Sequence, residues 1–205
     1  MMTRITRRLA AGPALGLLIA CAVLGGCSMA KKAQSAPTEE KLIIPNYPTA
    51  KDQYNFARVY QNSQVRTSDK TRRDVQLDKA IQAYRKVLEV FPNDEQFAPL
   101  AMMNIGDCVG MKKDYRGARE VYAEAAARWP HIELIQARTA YSTARTMDQE
   151  QRFEDGKAVY KKIMEQYGNS QDPAVRQIAK LSAENYYRLR TEPAKGSAAK
   201  KPARR

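Results

Sequence analysis

A single histidine, His131, is all that the 205-residue chain contains. Without a second imidazole there is no histidine pair for a transition metal and no Ser-His-Asp set for nucleophilic catalysis. His131 directly follows Pro130, a position that fits a helix start. The sequence also has no Cys-x-x-Cys, no His-Glu-x-x-His, no acid-rich calcium loop and no glycine-rich phosphate loop. It therefore calls for no metal, no cofactor and no catalytic residue. Neighbouring carboxylates do occur, at Asp94 with Glu95 and at Glu154 with Asp155. They fall at loops and helix starts, where they act on the helix dipole and lack the closed pocket that acid-base work needs.

Cysteine is almost as scarce. Of the three present, Cys21 lies in an apolar run and Cys27 just beyond it, which leaves Cys108 by itself in the body. A lone thiol closes no intramolecular disulfide, so the fold rests on packing. Cys108, three residues after Ile105, reads as a buried and inert thiol. Long apolar runs are missing apart from Leu9 to Leu24. That run is shorter than the roughly 20 residues of a membrane-spanning helix, and Gly12 and Pro13 interrupt its start.

Arg4, Arg7 and Arg8 precede this run without any acid, and together these features have the order of a signal peptide, residues 1–26. The formal charge of +13 is unevenly spread, with +3 at those arginines, zero over 27–40, +5 over 41–188 and +5 over 189–205. A compact nucleic-acid binder concentrates Lys and Arg on one element of its fold. Here the excess sits at the two ends, so nucleic acid is not an expected partner.

The residues Leu24, Gly25, Gly26 and Cys27 resemble the bacterial lipobox. That resemblance implies diacylation of Cys27, a palmitate-type anchor, and cleavage that makes Cys27 the first mature residue. Ser28, which is not Asp, implies sorting to the outer membrane, with the body facing the periplasm. Two or more acyl chains, at about 0.8 kcal/mol per buried methylene, hold a protein stably at a bilayer. Residues 27–40 have almost no large apolar side chain and read as a flexible tether.

The body repeats. Tyr84, Tyr122 and Tyr160 are spaced by 38 residues, and each heads a segment that ends in an aromatic and a breaker: Phe91-Pro92, Trp129-Pro130 and Tyr167-Gly168. Four residues before each tyrosine stands a small residue (Ala80, Ala118, Gly156), and three before that a bulky one (Leu77, Tyr115, Phe153). Spacings of three, four and seven put these on one stripe of a helix. Proline and glycine end the helices because one lacks the amide hydrogen and the other tolerates a left-handed stop. Partner helices are predicted over Phe97 to Met111, Ile132 to Met147 and Ala174 to Leu189, with small residues at Gly106, Ala144 and Ser182 again 38 apart. An earlier helix runs from Ala50 to Gln61, followed by a polar stretch from Asn62 to Arg73.

This pattern resembles the tetratricopeptide repeat, because Ile105-Gly106, Tyr115, Ala118, Tyr122, Ala125 and Pro130 stand at that family's mutual spacings. The resemblance covers about residues 50–189. It departs in a period of 38 where the family has 34, and in an insertion near Ser68. Behind a lipobox, such long repeats look like the BamD-like and CpoB-like group of periplasmic lipoproteins. The implied fold class is all-α, a right-handed superhelical array of helix-turn-helix hairpins over residues 41–189. Hairpins of this kind bury their apolar faces only by stacking on one another.

Projected onto the family's concave face, the first helices carry Leu100, Met103 and Asp107, then Arg138, Tyr141 and Arg145, then Arg176 and Tyr186. Arginines flanked by tyrosines can receive an acidic peptide or a chain carboxylate through paired hydrogen bonds and ring stacking. A solvated charged face is the plainer alternative. Residues 190–205 are rich in Ala, Pro and Lys, lack an apolar period, and are expected to be a disordered basic tail.

Two functions are compatible with these residues. One is an envelope adaptor that docks a protein or peptide in its groove. The other is an architectural bridge from the outer membrane to an anionic cell-wall polymer through the basic tail.

Overall fold

The computed structural model describes residues 42–63 and 68–191, and all the regular structure among them is helical. The signal peptide expected over residues 1–26, the acylation expected at Cys27, the expected tether of residues 27–40 and residues 192–205 of the expected basic tail lie outside the described residues. Seven helices follow in order: α1 (Ala50–Ser63), α2 (Lys70–Val90), α3 (Phe97–Met111), α4 (Tyr115–Arg128), α5 (Glu133–Gln149), α6 (Phe153–Tyr167) and α7 (Pro173–Thr191). No helix among the described residues is long and apolar enough to cross a membrane.

The starts are set by short acceptor side chains. Thr49 Oγ1 accepts from the Asp52 amide at 3.1 Å and donates to the Asp52 carboxylate at 2.6 Å, a reciprocal cap on α1. Asp69 accepts from the amides of Thr71 and Arg72, and Asp114 from that of Gly117. The Asp69 cap starts α2 at Lys70, so the polar stretch predicted to run through Arg73 ends earlier. At the other end, α7 continues to Thr191, two residues past the predicted stop at Leu189.

The turns inside the second and third hairpins are three residues long, and they repeat in conformation. Lys113 has φ 70° and Gln151 has φ 63°, and these positions lie one 38-residue period apart. Each reverses the chain by placing a non-glycine residue in the left-handed region, at an intrinsic cost of about 1–2 kcal/mol. The first hairpin has six residues in its connection, which is the insertion expected near Ser68.

Consecutive helices pack in pairs throughout, and the odd-numbered helices also touch one another, α1 with α3, α3 with α5 and α5 with α7. No Cα of one even-numbered helix comes within 8 Å of a Cα of another. Three apolar clusters result, one spanning α1 to α3, one α3 to α5 and one α5 to α7. Tyr84, Tyr122 and Tyr160 sit at their centres, exposed by 0%, 3% and 0%. Buried rings of this size contribute the largest single areas to such cores.

The small-residue columns explain themselves in the packing. A Cβ added at Gly106 would collide with the Tyr122 ring, and Ala80, Ala118 and Ala144 are fully buried. Along the outer loops, the Arg128 guanidinium donates to the Pro92 carbonyl at 3.0 Å and Ser170 donates to Glu133 at 2.8 Å, so each inter-hairpin loop is tied to the next. His131 belongs to this edge, exposed and 3.3 Å from Glu95.

Candidate functional site

The three repeat tyrosines cross the core from the even helices and deliver their hydroxyls to the odd-helix layer. There each finds a different acceptor. Tyr84 donates to Gln61 Oε1 at 2.6 Å, Tyr122 to Asp107 Oδ1 at 2.7 Å, and Tyr160 to Asp148 Oδ2 at 3.0 Å. Burial, reinforced for Tyr122 and Tyr160 by the adjacent carboxylate, pushes all three phenols well above their usual range, so they remain neutral donors.

Asn104 on α3 completes the first of these networks. Its amide nitrogen donates to Tyr54 at 2.7 Å and to Tyr84 at 3.1 Å, which joins α1, α2 and α3 through one buried amide. The Tyr54 ring packs on Tyr84 and on Phe97, with centroids 5.5 Å apart in both pairs. Both amide protons of Asn104 are thus spent on hydroxyls, in keeping with the rule that buried polar groups are paired.

Two clefts open beside these networks. The larger, about 360 Å³, lies between α1, α3 and α5 and is lined by Tyr54, Arg58, Gln61, Asn62, Asn104 and Arg138, with Asp107 and Met111 at its margin. The smaller, about 150 Å³, lies between α3, α4 and α5, where Asp107 and Met111 recur with Tyr122, Ser142 and Arg145. Asp107 and Met111 therefore belong to both clefts. Arg58, Arg138 and Arg145 make no hydrogen bond or ion pair with any described residue. Other cations are engaged within the fold: Arg119 grips Glu150 at 2.7 Å and holds its carboxyl below the usual range, and Lys112 pairs with Asp78.

The residues singled out from the sequence separate into two groups. Arg138 is half-buried in the larger cleft and Arg145 is exposed in the smaller one, so α5 brings them to a common trough on either side of Asp107. Tyr141 packs on Tyr160 at 5.8 Å and accepts from Asn185 at 3.2 Å, a helix-to-helix contact in the third cluster. Tyr186 is half-buried in the same cluster, edge-on to Tyr187 at 5.3 Å.

Arg176 donates to the carbonyls of Ser170 and Gln171 at 2.6 and 2.9 Å. It shares a repeat column with Arg138 but not its surroundings. α7 starts two residues later in register than α5 and leaves Arg176 in the first turn, facing the loop carbonyls. Met103, projected onto the open face, is fully buried.

Arg58, Gln61 and Asn62 were missed because the insertion between α1 and α2 puts α1 out of the 38-residue register. Cys108 matches its reading: it is fully buried, and burial together with the nearby Asp107 and Asp78 pushes its thiol up to about 12. Among the described residues no group of three or more His, Cys, Asp or Glu side chains could hold a metal ion. No protein-family model matches the chain, and no curated protein is significantly similar to it.

Proposed function

We propose that the chain is a lipid-anchored adaptor of the cell envelope, held at the outer membrane through Cys27 and docking a partner protein along the trough of its odd-numbered helices. The observation that carries this reading is the set of three guanidinium groups, Arg58, Arg138 and Arg145, that have no partner among the described residues and line the two clefts that share Asp107. Some exposed cations of this fold find carboxylates on their own helix, as Lys70 finds Asp74 and Arg116 finds Glu120. Three cations gathered along one trough without such partners among the described residues are suited to a ligand.

A right-handed superhelix of the tetratricopeptide kind accounts for the packing. Odd helices that approach one another more closely than the even helices do support a layered array with its trough on the closer-packed side. The anchor supports docking by effective concentration, since a tethered protein meets its partner at a surface and weak contacts suffice. The role is one of binding, and the reading assigns no catalytic group.

Two measurements test it. Palmitate labelling should follow the wild type and be lost in Cys27→Ser, which moves to the soluble fraction; equal labelling of both would end the anchor reading. A photo-crosslinking residue at Met111, which is 44% exposed and borders both clefts, should trap one partner in intact cells. The same probe at Arg85, exposed on α2, should not. Capture from both sites or from neither, by a folded and anchored protein, would overturn docking in the trough. Removal of residues 192–205 should leave the capture intact, whereas an architectural bridge through the tail would lose its ligand.

A further inference from the structure

We infer that the larger cleft, between α1, α3 and α5, is a recognition site for an acidic, extended peptide segment, with Arg58 and Arg138 receiving its carboxylates and Asp107 receiving a backbone amide. This rests on the docking role proposed above and specifies the partner's chemistry. The cleft presents donors in excess. Arg58 reaches it from α1 and Arg138 from α5, neither with a protein partner among the described residues. The Tyr54 hydroxyl accepts from Asn104 and retains its own proton, because no described acceptor takes it. Gln61 uses its carbonyl oxygen for Tyr84, which leaves its amide hydrogens to the cleft. A surface with this composition binds acceptors, and a planar guanidinium fits a carboxylate through two parallel hydrogen bonds.

Asp107 separates a peptide from a bare anion. One carboxylate oxygen takes the Tyr122 hydroxyl, while Oδ2 takes no hydrogen bond from the described residues. An acceptor placed between arginines repels a phosphate or a polyanionic polymer but satisfies a main-chain N–H. Met111 beside it, 44% exposed, adds an apolar contact of the kind a peptide can use. The smaller cleft continues past Asp107 to Arg145, so one extended segment can meet Arg58, Arg138 and Arg145 in turn.

The test uses the full chain and a fluorescein-labelled octapeptide of alternating Glu and Ala, read by fluorescence anisotropy, beside its Gln counterpart. The Glu peptide should bind at least about tenfold tighter, and raised salt should weaken it. Arg58→Gln and Arg138→Gln should each weaken binding about fivefold or more. Arg85→Gln, which removes the same charge from an exposed position on α2, should not. Asp107→Ala should weaken the peptide while strengthening competition by inorganic phosphate, since one loses an acceptor and the other a repulsion. Circular dichroism melts confirm that each variant is folded.

No binding of the Glu peptide, equal losses from Arg85→Gln, or tighter peptide binding in Asp107→Ala would overturn the assignment. If the peptide fails while Met111 still captures a partner in cells, docking stands and acidic recognition falls. If both fail, both fall.

Discussion

Tyr84 and Tyr160 hold one place in the repeat, two periods apart, and both are fully buried, yet their hydroxyls end in opposite company. At the first hairpin the network is neutral: Tyr84, Tyr54, Gln61 and Asn104 satisfy one another and leave Arg58 and Arg138 to the cleft beside them. At the last it is charged, because Asp148 accepts from Tyr160 at 3.0 Å and from Arg188 at 3.2 Å, so that end consumes its own cation. The same core column thus supports an open surface at one end of the array and a self-paired one at the other. What differs is the residue that the preceding odd helix offers to the hydroxyl. A neutral amide needs no counter-ion, whereas a largely buried carboxylate does.

The comparison breaks most visibly at its two hubs. Asn104→Ala removes an amide that serves two buried hydroxyls and leaves a void; its expected cost is about 3 kcal/mol in urea unfolding, with little change in slope. A loss under 1 kcal/mol would mean that water replaces the amide and that the neutral hub is not a structural requirement.

Two buried glycines offer a second contrast. In Gly106→Ala the new methyl meets the ring of Tyr122, itself 3% exposed, and the change should cost about 2 kcal/mol. In Gly156→Ala the methyl meets the Asp148 carboxylate at 2.5 Å and the Ala144 carbonyl at 3.2 Å. A carboxylate gives way more readily than a packed ring, and alanine gains about 1 kcal/mol of helix propensity over glycine. The second substitution is therefore expected to cost less than the first; the reverse order in thermal melts would show the charged hub to be the more rigid.

Asp148 supplies a sharper distinction through pH. Desolvation raises its pKa above the ordinary value, against the lowering by Tyr160 and Arg188. With a folded value above the roughly 3.9 of an unfolded aspartate, the folded state binds the proton more tightly. Stability from this group accordingly rises as pH falls from neutrality through its folded pKa. Asp148→Asn should compare best with the wild type near pH 7 and lose that relative advantage on acidification. A difference that stays constant with pH would remove the burial argument.

The smallest effect lies in the turns that the second and third hairpins share and the first lacks. Lys113→Gly and Gln151→Gly relieve a left-handed strain of about 1–2 kcal/mol but add about 0.5–1 kcal/mol of unfolded-state entropy. Each should gain about 0.5 kcal/mol.

Much of this was legible in the chain before any coordinates. The 38-residue columns place Leu77, Ala80, Tyr84 and Val87 on one buried stripe, and the breakers at Pro92, Pro130 and Gly168 mark where the even helices stop. These features are legible because apolar spacing and helix termination are local properties. The site was legible only in part. Arg138 and Arg145 line the clefts, whereas Arg176, Tyr141 and Tyr186 engage the loop or the third core. A repeat column reports which face a residue occupies, and the distance of that residue from the start of its helix decides what it meets there.

The sequence by itself determined the hairpins, their period, their stops and the buried tyrosine column, since each follows from side-chain size and backbone preference within a few residues. Only the tertiary structure decided which arginines find no partner among the described residues. That outcome depends on how α1, displaced from register by its longer connection, lies against α3 and α5, and on whether a carboxylate from another helix comes within reach. Pairing across helices is set by distances of a few ångströms between residues dozens of positions apart, and no local pattern encodes it.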